Sequence, residues 1–183
     1  MLFRGAFFLL FVAKLLLALG FAVSCQNGGV GPQTSPFGRF YLETEYVNHA
    51  WGHVHRGVFI DTAGVVISYD LAKSGVGWQA TANELYTEAE LWAKIHHNDT
   101  VRGSIPADTL SRLRRLAYAS VSGSMSDTLR GGTDMGIVSY VCFTLEGTQS
   151  LFRRTELRVQ GDVEYHNTST SAVELANWMA SRK

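Results

Sequence analysis

Histidine gives the sharpest chemical signal in this 183-residue sequence. His49, His53 and His55 lie within seven residues, and imidazole nitrogens are common ligands of zinc and copper. Side chains two residues apart share one face of a strand, so His53 and His55 would lie about 7 Å apart. His49 joins that face only if the strand begins early. The three histidines predict a zinc or copper site; a solvated strand face is the alternative, because no tight ligand spacing is present.

The second candidate site is the polar, glycine-rich loop at 127–136. It contains Asp127, Arg130 and Asp134, and its glycines would let the backbone approach a ligand closely. The two aspartates suit Ca²⁺, although the regular spacing of an EF-hand loop is missing. A ligand-binding loop is one prediction, and a long connection without a ligand is the other.

Nucleophilic catalysis has little support in the sequence. It contains neither a Gly-x-Ser-x-Gly elbow nor a phosphate-binding loop. Cys142 lies in an apolar run, where a free thiol behaves as a small buried hydrophobic group. An exported compartment would also permit a disulfide between Cys142 and Cys25. These observations favour a non-catalytic protein, and no catalytic residue is assigned.

The first 24 residues differ in composition from the rest of the chain. Nineteen of them are apolar, Arg4 gives a basic start, and Lys14 interrupts the apolar run. A basic start, an apolar stretch and small residues before a cleavage point are typical of a secretory signal peptide. The alternative, a retained membrane helix, would bury Lys14 at a cost of roughly 2.5–3.5 kcal/mol. The composition therefore predicts a signal peptide at 1–24.

The stretch Ala22-Val23-Ser24-Cys25 resembles the lipobox of bacterial lipoproteins. In that family a small residue precedes a cysteine that is lipidated and becomes the new N-terminus, which implies lipidation at Cys25. The family usually has leucine where Ala22 stands, and Ala22-x-Ser24 also fits an ordinary signal-peptidase site. The resemblance implies an exported protein of the bacterial cell envelope, held to a membrane by its lipid anchor.

A flexible tether is predicted between this anchor and the folded domain. Residues 25–38 are rich in glycine and proline, and such a segment buries little apolar surface. The whole chain has 16 basic and 16 acidic side chains, whereas a nucleic-acid binder needs a basic face. The sequence thus predicts a membrane as partner, through the lipid, and argues against nucleic acid.

The elements that must position these residues follow a simple order. Alternating patterns predict five strands, at 39–47, 51–60, 65–71, 137–145 and 150–160. Helical spacing of apolar residues predicts three helices, at 83–97, between Ser104 and Gly123, and at 171–180. The predicted capping residues are Thr81, Ser104 and Ser171. Segregated strands and helices favour a single α+β domain at 39–183, an antiparallel sheet of about five strands covered on one face by about three helices.

Three functions fit this organisation. The first is a non-catalytic, membrane-tethered lipoprotein that binds an envelope protein or glycan or has a structural role. The second is an exported metal-binding protein or hydrolase centred on His49, His53 and His55 or on the loop at 127–136. The third is a tethered inhibitor of an envelope hydrolase, which would use exposed aromatic residues such as Trp51 and Trp78 as anchors.

Overall fold

An antiparallel sheet of nine strands forms the centre of the structure. The computed structural model describes residues 38–50, 52–72, 83–96, 99–147 and 150–182. The predicted signal peptide, Cys25 and the predicted tether up to residue 37 lie outside these residues. The strands are β1 (Phe40–Asn48), β2 (Val54–Ile60), β3 (Val65–Asp70), β4 (Leu85–Thr87), β5 (Thr100–Ser104), β6 (Leu129–Arg130), β7 (Ile137–Glu146), β8 (Leu151–Gly161) and β9 (Val163–His166). The helices are α1 (Glu88–Ile95), α2 (Ala107–Ser120) and α3 (Thr170–Ala180).

The strand order is β5-β3-β2-β1-β7-β8-β9-β6, and β4 pairs with β8. Every described pairing between these strands is antiparallel. The predicted α+β domain with an antiparallel sheet and three helices is confirmed, and residues 36–183 form one unit. The predicted count of five strands is wrong. The other four, β4, β5, β6 and β9, have only two to five residues each, which is too short for an alternating pattern to stand out.

Helices cover both faces of the sheet, not one face as predicted. Phe40 and Leu42 of β1 pack with residues of α2 and α3, and we call this side the α2–α3 face. Tyr41 packs with Leu91 and Ile95 of α1 on the opposite side, which we call the α1 face. The prediction was wrong because the central strands β1 and β7 are buried on both sides. Among the described residues, no helix is both long and apolar enough to cross a membrane.

The turn between β2 and β3 is the hairpin that Asp61 and Gly64 predict. Asp61 Oδ1 accepts hydrogen bonds from the backbone N–H groups of Ala63, at 2.9 Å, and Val65, at 2.8 Å. Gly64 has φ +86°, a conformation in which a side chain would be strained. Its carbonyl oxygen accepts a hydrogen bond from Ile105 N–H at 2.8 Å. The hairpin is thereby attached to the segment that enters α2.

The first helix begins later than predicted, at Glu88 and not at residue 83. The preceding Leu85–Thr87 forms β4, which pairs with β8. Thr87 Oγ1 accepts from the N–H of Glu90, and the Glu90 carboxylate accepts from the N–H of Thr87, so these two residues form the capping box. Thr81, the predicted cap, lies outside the described residues. A second Thr-x-x-Glu pattern six residues further along therefore marks the true start.

The predicted cap of α2 is also wrong. Ser104 ends β5, and Pro106 occupies the N-cap position without a side-chain hydrogen bond. A proline with an extended backbone can still lead into a helix, because its missing N–H would have no intrahelical partner there. Leu113 and Ala117 face the core, as their helical spacing predicts.

Ser169, and not the predicted Ser171, caps α3. The Ser169 side chain accepts a hydrogen bond from Ala172 N–H at 3.1 Å. Ser171 lies within the first turn of the helix, and the carboxylate of Glu174 pairs with Arg112 of α2. Ser171 and Glu174 therefore do not form a capping box at the start of this helix.

Replacing Ser169 with alanine is expected to lower the free energy of unfolding by about 1 kcal/mol, because one N–H of the first turn loses its acceptor. Urea denaturation followed by circular dichroism measures this loss. The matched control is Ser171→Ala, which we expect to change stability by less than about 0.5 kcal/mol. A larger loss for Ser171→Ala than for Ser169→Ala would contradict the observed cap.

Candidate functional site

The structure brings two of the three candidate metal ligands into contact. His49 Nδ1 and His53 Nδ1 lie 3.3 Å apart on the surface, and the two rings stack. His55 is buried, and its Nε2 donates to Glu45 Oε1 at 2.6 Å. Among the described residues, no group of three or more His, Cys, Asp or Glu side chains is arranged to hold a metal ion. The predicted ligands are therefore a surface pair and a neighbouring histidine committed to a carboxylate.

The charged residues of the loop at 127–136 have three different surroundings. Asp127 lines a cavity of about 350 Å³ beside β9. Arg130 lies in β6 and is the backbone partner of Val163. Asp134 has φ +62°, and its carbonyl oxygen accepts from Asn48 Nδ2 at 3.4 Å. All three side chains are exposed, and no contact within the described structure joins them.

A cluster of buried polar side chains lies between α1 and the sheet. It consists of Glu43, Glu45, His55, Tyr69 and Lys94, and we call it the buried ion cluster. Lys94 Nζ lies 2.8 Å from Glu43 Oε1 and 2.6 Å from Glu45 Oε1. Tyr69 OH donates to Glu43 Oε1 at 2.6 Å. Ion pairs and hydrogen bonds therefore connect α1 with β1, β2 and β3.

Electrostatic interactions in the buried ion cluster keep Glu45 ionised. Burial by itself would raise the pKa of this carboxyl group. The hydrogen bond from His55 and the charge of Lys94 outweigh burial and lower the pKa of Glu45 to about 2. Burial and the charge of Glu43 raise the pKa of Tyr69 well above its ordinary value. Tyr69 therefore stays a neutral donor and Glu45 an acceptor at physiological pH.

Glycine at position 57 makes room for Tyr69. A Cβ atom on Gly57 would lie 2.5 Å from Tyr69 Oη and 2.6 Å from the carbonyl oxygen of Thr44. Both distances are well inside van der Waals contact. Because Gly57 has no side chain, the Tyr69 ring can pass over β2 at that position and reach Glu43 on β1.

The buried ion cluster is closed to solvent. Glu43 is 0% exposed and Lys94 is 2% exposed, so a substrate cannot reach their charged atoms in this conformation. Glu43 Oε2 is buried without a hydrogen-bond partner in the described structure. Burying charges is costly, and buried ion pairs are better suited to fixing one arrangement than to adding stability. The cluster therefore positions α1 on the sheet and does not serve as an accessible site.

A groove on the α2–α3 face is accessible. Its first part, the polar chamber, has a volume of about 460 Å³ and lies over β1, β2, β3 and β5. The side chains lining it include Thr44, Tyr46, Arg56, Ser68, Asp70 and Arg102. Each of these residues is half-buried or exposed, so a ligand in solution can contact them.

The groove continues into an apolar chamber of about 310 Å³. The two chambers share Thr44, Val58 and Arg102 in their walls. The apolar walls include Leu42, Ile60, Val66, Ile105, Trp178 and Met179. Small-molecule sites are typically clefts of about 300–1,000 Å³ with apolar walls and a few fixed polar groups. The groove has both the size and the composition of such a site.

Arginine gives the groove a positive character. Arg102 Nε donates to Ser68 Oγ at 2.9 Å, and the Arg182 guanidinium lies 4.9 Å from the ring centroid of Trp178. In the described part of the chain, neither guanidinium lies within ion-pair distance of a carboxylate. Arg56, in contrast, is the cross-strand neighbour of Asp70. Positive charge thus exceeds negative charge along the groove, most clearly around its apolar chamber.

Cys142 is a free and fully buried thiol on the α2–α3 face. Burial raises its pKa to about 12, so the reactive thiolate is suppressed. The prediction of a buried, hydrophobic cysteine is confirmed. Cys25, the partner in the alternative of a disulfide with Cys142, lies outside the described residues.

Cys142 is therefore expected to resist a thiol reagent until the protein unfolds. In a Cys25→Ser protein, labelling in native buffer should be roughly 100-fold slower or more than in guanidinium chloride, because labelling requires opening of the core. The measurement is the rate of 2-nitro-5-thiobenzoate release from Ellman's reagent. Fast labelling of protein with a native circular dichroism spectrum would contradict the burial of this thiol.

One residue of the sequence, Lys94, indicates the buried ion cluster. Lys94 lies between Leu91 and Ile95, which form the buried stripe of α1, so a charge at that position needed buried partners. The groove had no comparable signal, because its walls come from separate strands and α3. Trp51 and Trp78, the predicted anchors of an inhibitor, lie outside the described residues. Comparison of the chain with protein families, curated proteins and solved structures found no match.

Proposed function

We propose that the chain is an exported, lipid-anchored binding module of the bacterial cell envelope, and that its ligand occupies the groove on the α2–α3 face. The observation that carries this proposal is the groove itself. Two guanidinium groups without carboxylate partners, Arg102 and Arg182, line an apolar chamber of about 310 Å³ in the described structure. Such a chamber can bury an apolar group while its rim binds a polar one.

Anchoring is supported by the order of features along the sequence. An apolar leader with a basic start precedes Cys25, and a glycine- and proline-rich segment precedes the folded domain. A short flexible tether of this composition would let the domain move near the membrane surface. A module held in this way meets its ligand in the envelope without needing a membrane-spanning helix in its folded part.

A Cys25→Ala substitution tests the anchor. The wild-type protein is expected in the membrane fraction at its processed mass, and Cys25→Ala is expected to lose processing by lipoprotein signal peptidase. Ser24→Ala keeps a small residue before the cysteine and serves as the control. Processed Cys25→Ala protein in the soluble fraction would indicate an ordinary signal peptidase. A retained membrane helix would be indicated if neither the wild type nor Cys25→Ala is cleaved and both proteins remain in the membrane fraction.

A second candidate function is binding of zinc or copper by the surface pair of histidines. The observation that favours it is the separation of 3.3 Å between His49 Nδ1 and His53 Nδ1. Two nitrogens bound at about 2.0–2.1 Å to one tetrahedral ion are separated by nearly this distance. The pair could therefore bind one ion once the stacked rings rotate so that both nitrogen lone pairs point at it, with water completing the coordination.

Metal analysis distinguishes this second function from the first. If the pair is a site, the purified protein binds one equivalent of Zn²⁺ or Cu²⁺, and His53→Ala abolishes that binding. His166→Ala, at the end of β9, is the control. Equal metal binding by the wild type and His53→Ala would remove this candidate and leave the groove proposal untouched.

A further inference from the structure

We propose that the ligand of the groove is a single amphipathic anion, a molecule with a carboxylate or phosphate group joined to an apolar chain or ring. This inference rests on the proposed function and specifies the chemistry that the groove recognises. Among the described residues, the groove combines apolar walls with more positive than negative charge, and an amphipathic anion satisfies both features with one molecule.

Arg102 is the charged residue among the three that line both chambers. Its Nε–H is already used, since it donates to Ser68 Oγ at 2.9 Å. This hydrogen bond restrains the guanidinium and leaves its terminal N–H groups as donors. A guanidinium presents paired N–H groups that match a carboxylate or phosphate. Arg102 is therefore placed to bind an anionic group at the entrance of the apolar chamber.

Arg182 provides the second positive charge of the apolar chamber. Its guanidinium lies over the ring of Trp178, 4.9 Å from the centroid, a distance typical of a cation–π contact. Trp178 and Arg182 both line the apolar chamber. The same aromatic side chain therefore holds a cation and offers apolar surface to a ligand.

The position of Asp70 indicates where along the groove the anion binds. Asp70 lines the polar chamber and is the cross-strand neighbour of Arg56. A carboxylate there repels an anion and offsets the charge of Arg56. The lining of the apolar chamber contains Arg102 and Arg182 and, among its described residues, no Asp or Glu. Charge complementarity thus favours the anion at the apolar chamber.

The apolar walls explain why a small inorganic anion is not the expected ligand. Val58, Val66 and Trp178 are half-buried and would remain in contact with water around such an ion, whereas an acyl chain or ring would cover them. Burial of apolar area contributes roughly 25 cal/mol per Å². An amphipathic anion therefore gains affinity that inorganic phosphate cannot gain.

Isothermal titration calorimetry on the mature Cys25→Ser chain tests the inference, since this protein carries no acyl chain of its own. The probes are decyl phosphate, decanoate, decanol, decyltrimethylammonium and inorganic phosphate. The three charged amphiphiles are kept below their micelle concentrations and decanol below its solubility limit. Decyl phosphate or decanoate is expected to bind at least about tenfold more tightly than decanol and the cationic amphiphile, a difference that one charge-assisted contact supplies. The carboxylate and phosphate probes distinguish the two possible head groups.

Matched variants locate the binding. Arg102→Gln is expected to weaken binding of the anionic amphiphile about tenfold or more and to leave decanol unchanged. Arg182→Gln removes the second charge and gives an independent reading if Arg102→Gln folds poorly. Arg115→Gln, an exposed arginine of α2 outside the groove, is the control.

The possible failures are distinguishable. Val58→Trp fills the groove, and cooperative thermal melting shows whether this variant is folded. If decanol binds the wild type as tightly as decyl phosphate does, and folded Val58→Trp binds neither, the anion inference is overturned and the groove remains a binding site. Inorganic phosphate binding as tightly as decyl phosphate would overturn the amphipathic part. Binding to phosphatidylglycerol vesicles in a parallel titration, with no binding of the five probes, would overturn a single-molecule ligand. No binding of any probe, or binding unaffected by Arg102→Gln, Arg182→Gln and Val58→Trp, would overturn the inference for this groove.

Discussion

Replacing Lys94 with methionine is expected to lower the free energy of unfolding by about 3–5 kcal/mol, the cost typical of removing one partner from a buried ion pair. The Nζ atom of Lys94 lies 2.8 Å from Glu43 and 2.6 Å from Glu45. Without it, two carboxylates remain buried near each other with less positive charge to offset them. Urea denaturation of the purified variant measures the loss.

Removing the carboxylates as well should restore part of that stability. The triple variant Lys94→Met, Glu43→Gln, Glu45→Gln carries no stranded charge at these positions, so we expect it to be more stable than Lys94→Met alone. Arg115→Met, an exposed substitution on α2, is the control for the loss of one positive side chain. A loss below about 1 kcal/mol for Lys94→Met would contradict a buried ion pair at this position.

Acid is expected to destabilise the protein through the same cluster. Burial opposes ionisation of Glu45, but His55 and Lys94 lower its pKa from the ordinary 4.5 to about 2 in the folded state. Because the folded pKa is lower than the unfolded one, ionised Glu45 contributes stability that is fully present above about pH 4.5 and lost as the pH falls toward 2. The contribution is on the order of a few kcal/mol.

Urea denaturation between pH 2 and 7 gives the measurement. The wild type should lose stability steadily below about pH 4.5. Glu45→Gln cannot bind this proton and should show a shallower decline over the same interval, although it starts from a lower stability. Glu146→Gln, which removes an exposed partner of Arg153, is the control. Identical pH slopes for the wild type and Glu45→Gln would contradict the lowered pKa.

Much of the fold could be predicted because its long elements carry strong local patterns. The hairpin at Asp61 and Gly64 is fixed by turn chemistry within four residues, and the apolar stripe of α2 repeats over several turns. The short strands β4, β5, β6 and β9 depend instead on pairing with strands distant in sequence. Their local sequences contain too few residues to reveal a period. The same reason explains why a helix was predicted at 83–87, where pairing with β8 determines the structure.

The candidate sites show the same difference between contacts that are local in sequence and contacts that join distant segments. His49 and His53 are only four residues apart, so the sequence pattern alone could indicate that they lie close together. The buried ion cluster requires that Lys94 of α1 lie over β1, and the groove requires that Arg102 of β5 and Trp178 of α3 line the same chamber. Such contacts depend on strand order, and alternating patterns along single strands contain no information on strand order. A charged residue inside an apolar pattern, such as Lys94, indicates from local sequence alone that a buried partner is present.

Amide NMR spectra of the mature chain, with and without extracts of its own cell envelope, test the central claim most directly. An aqueous extract and an organic-solvent extract together sample polar and lipid-like ligands. Our account predicts that one extract shifts the amide signals of Val58, Val66, Arg102 and Trp178, while those of His53 and β6 remain unchanged. Shifts confined to residues outside the groove, or no shift with either extract, would contradict a binding module that uses this face.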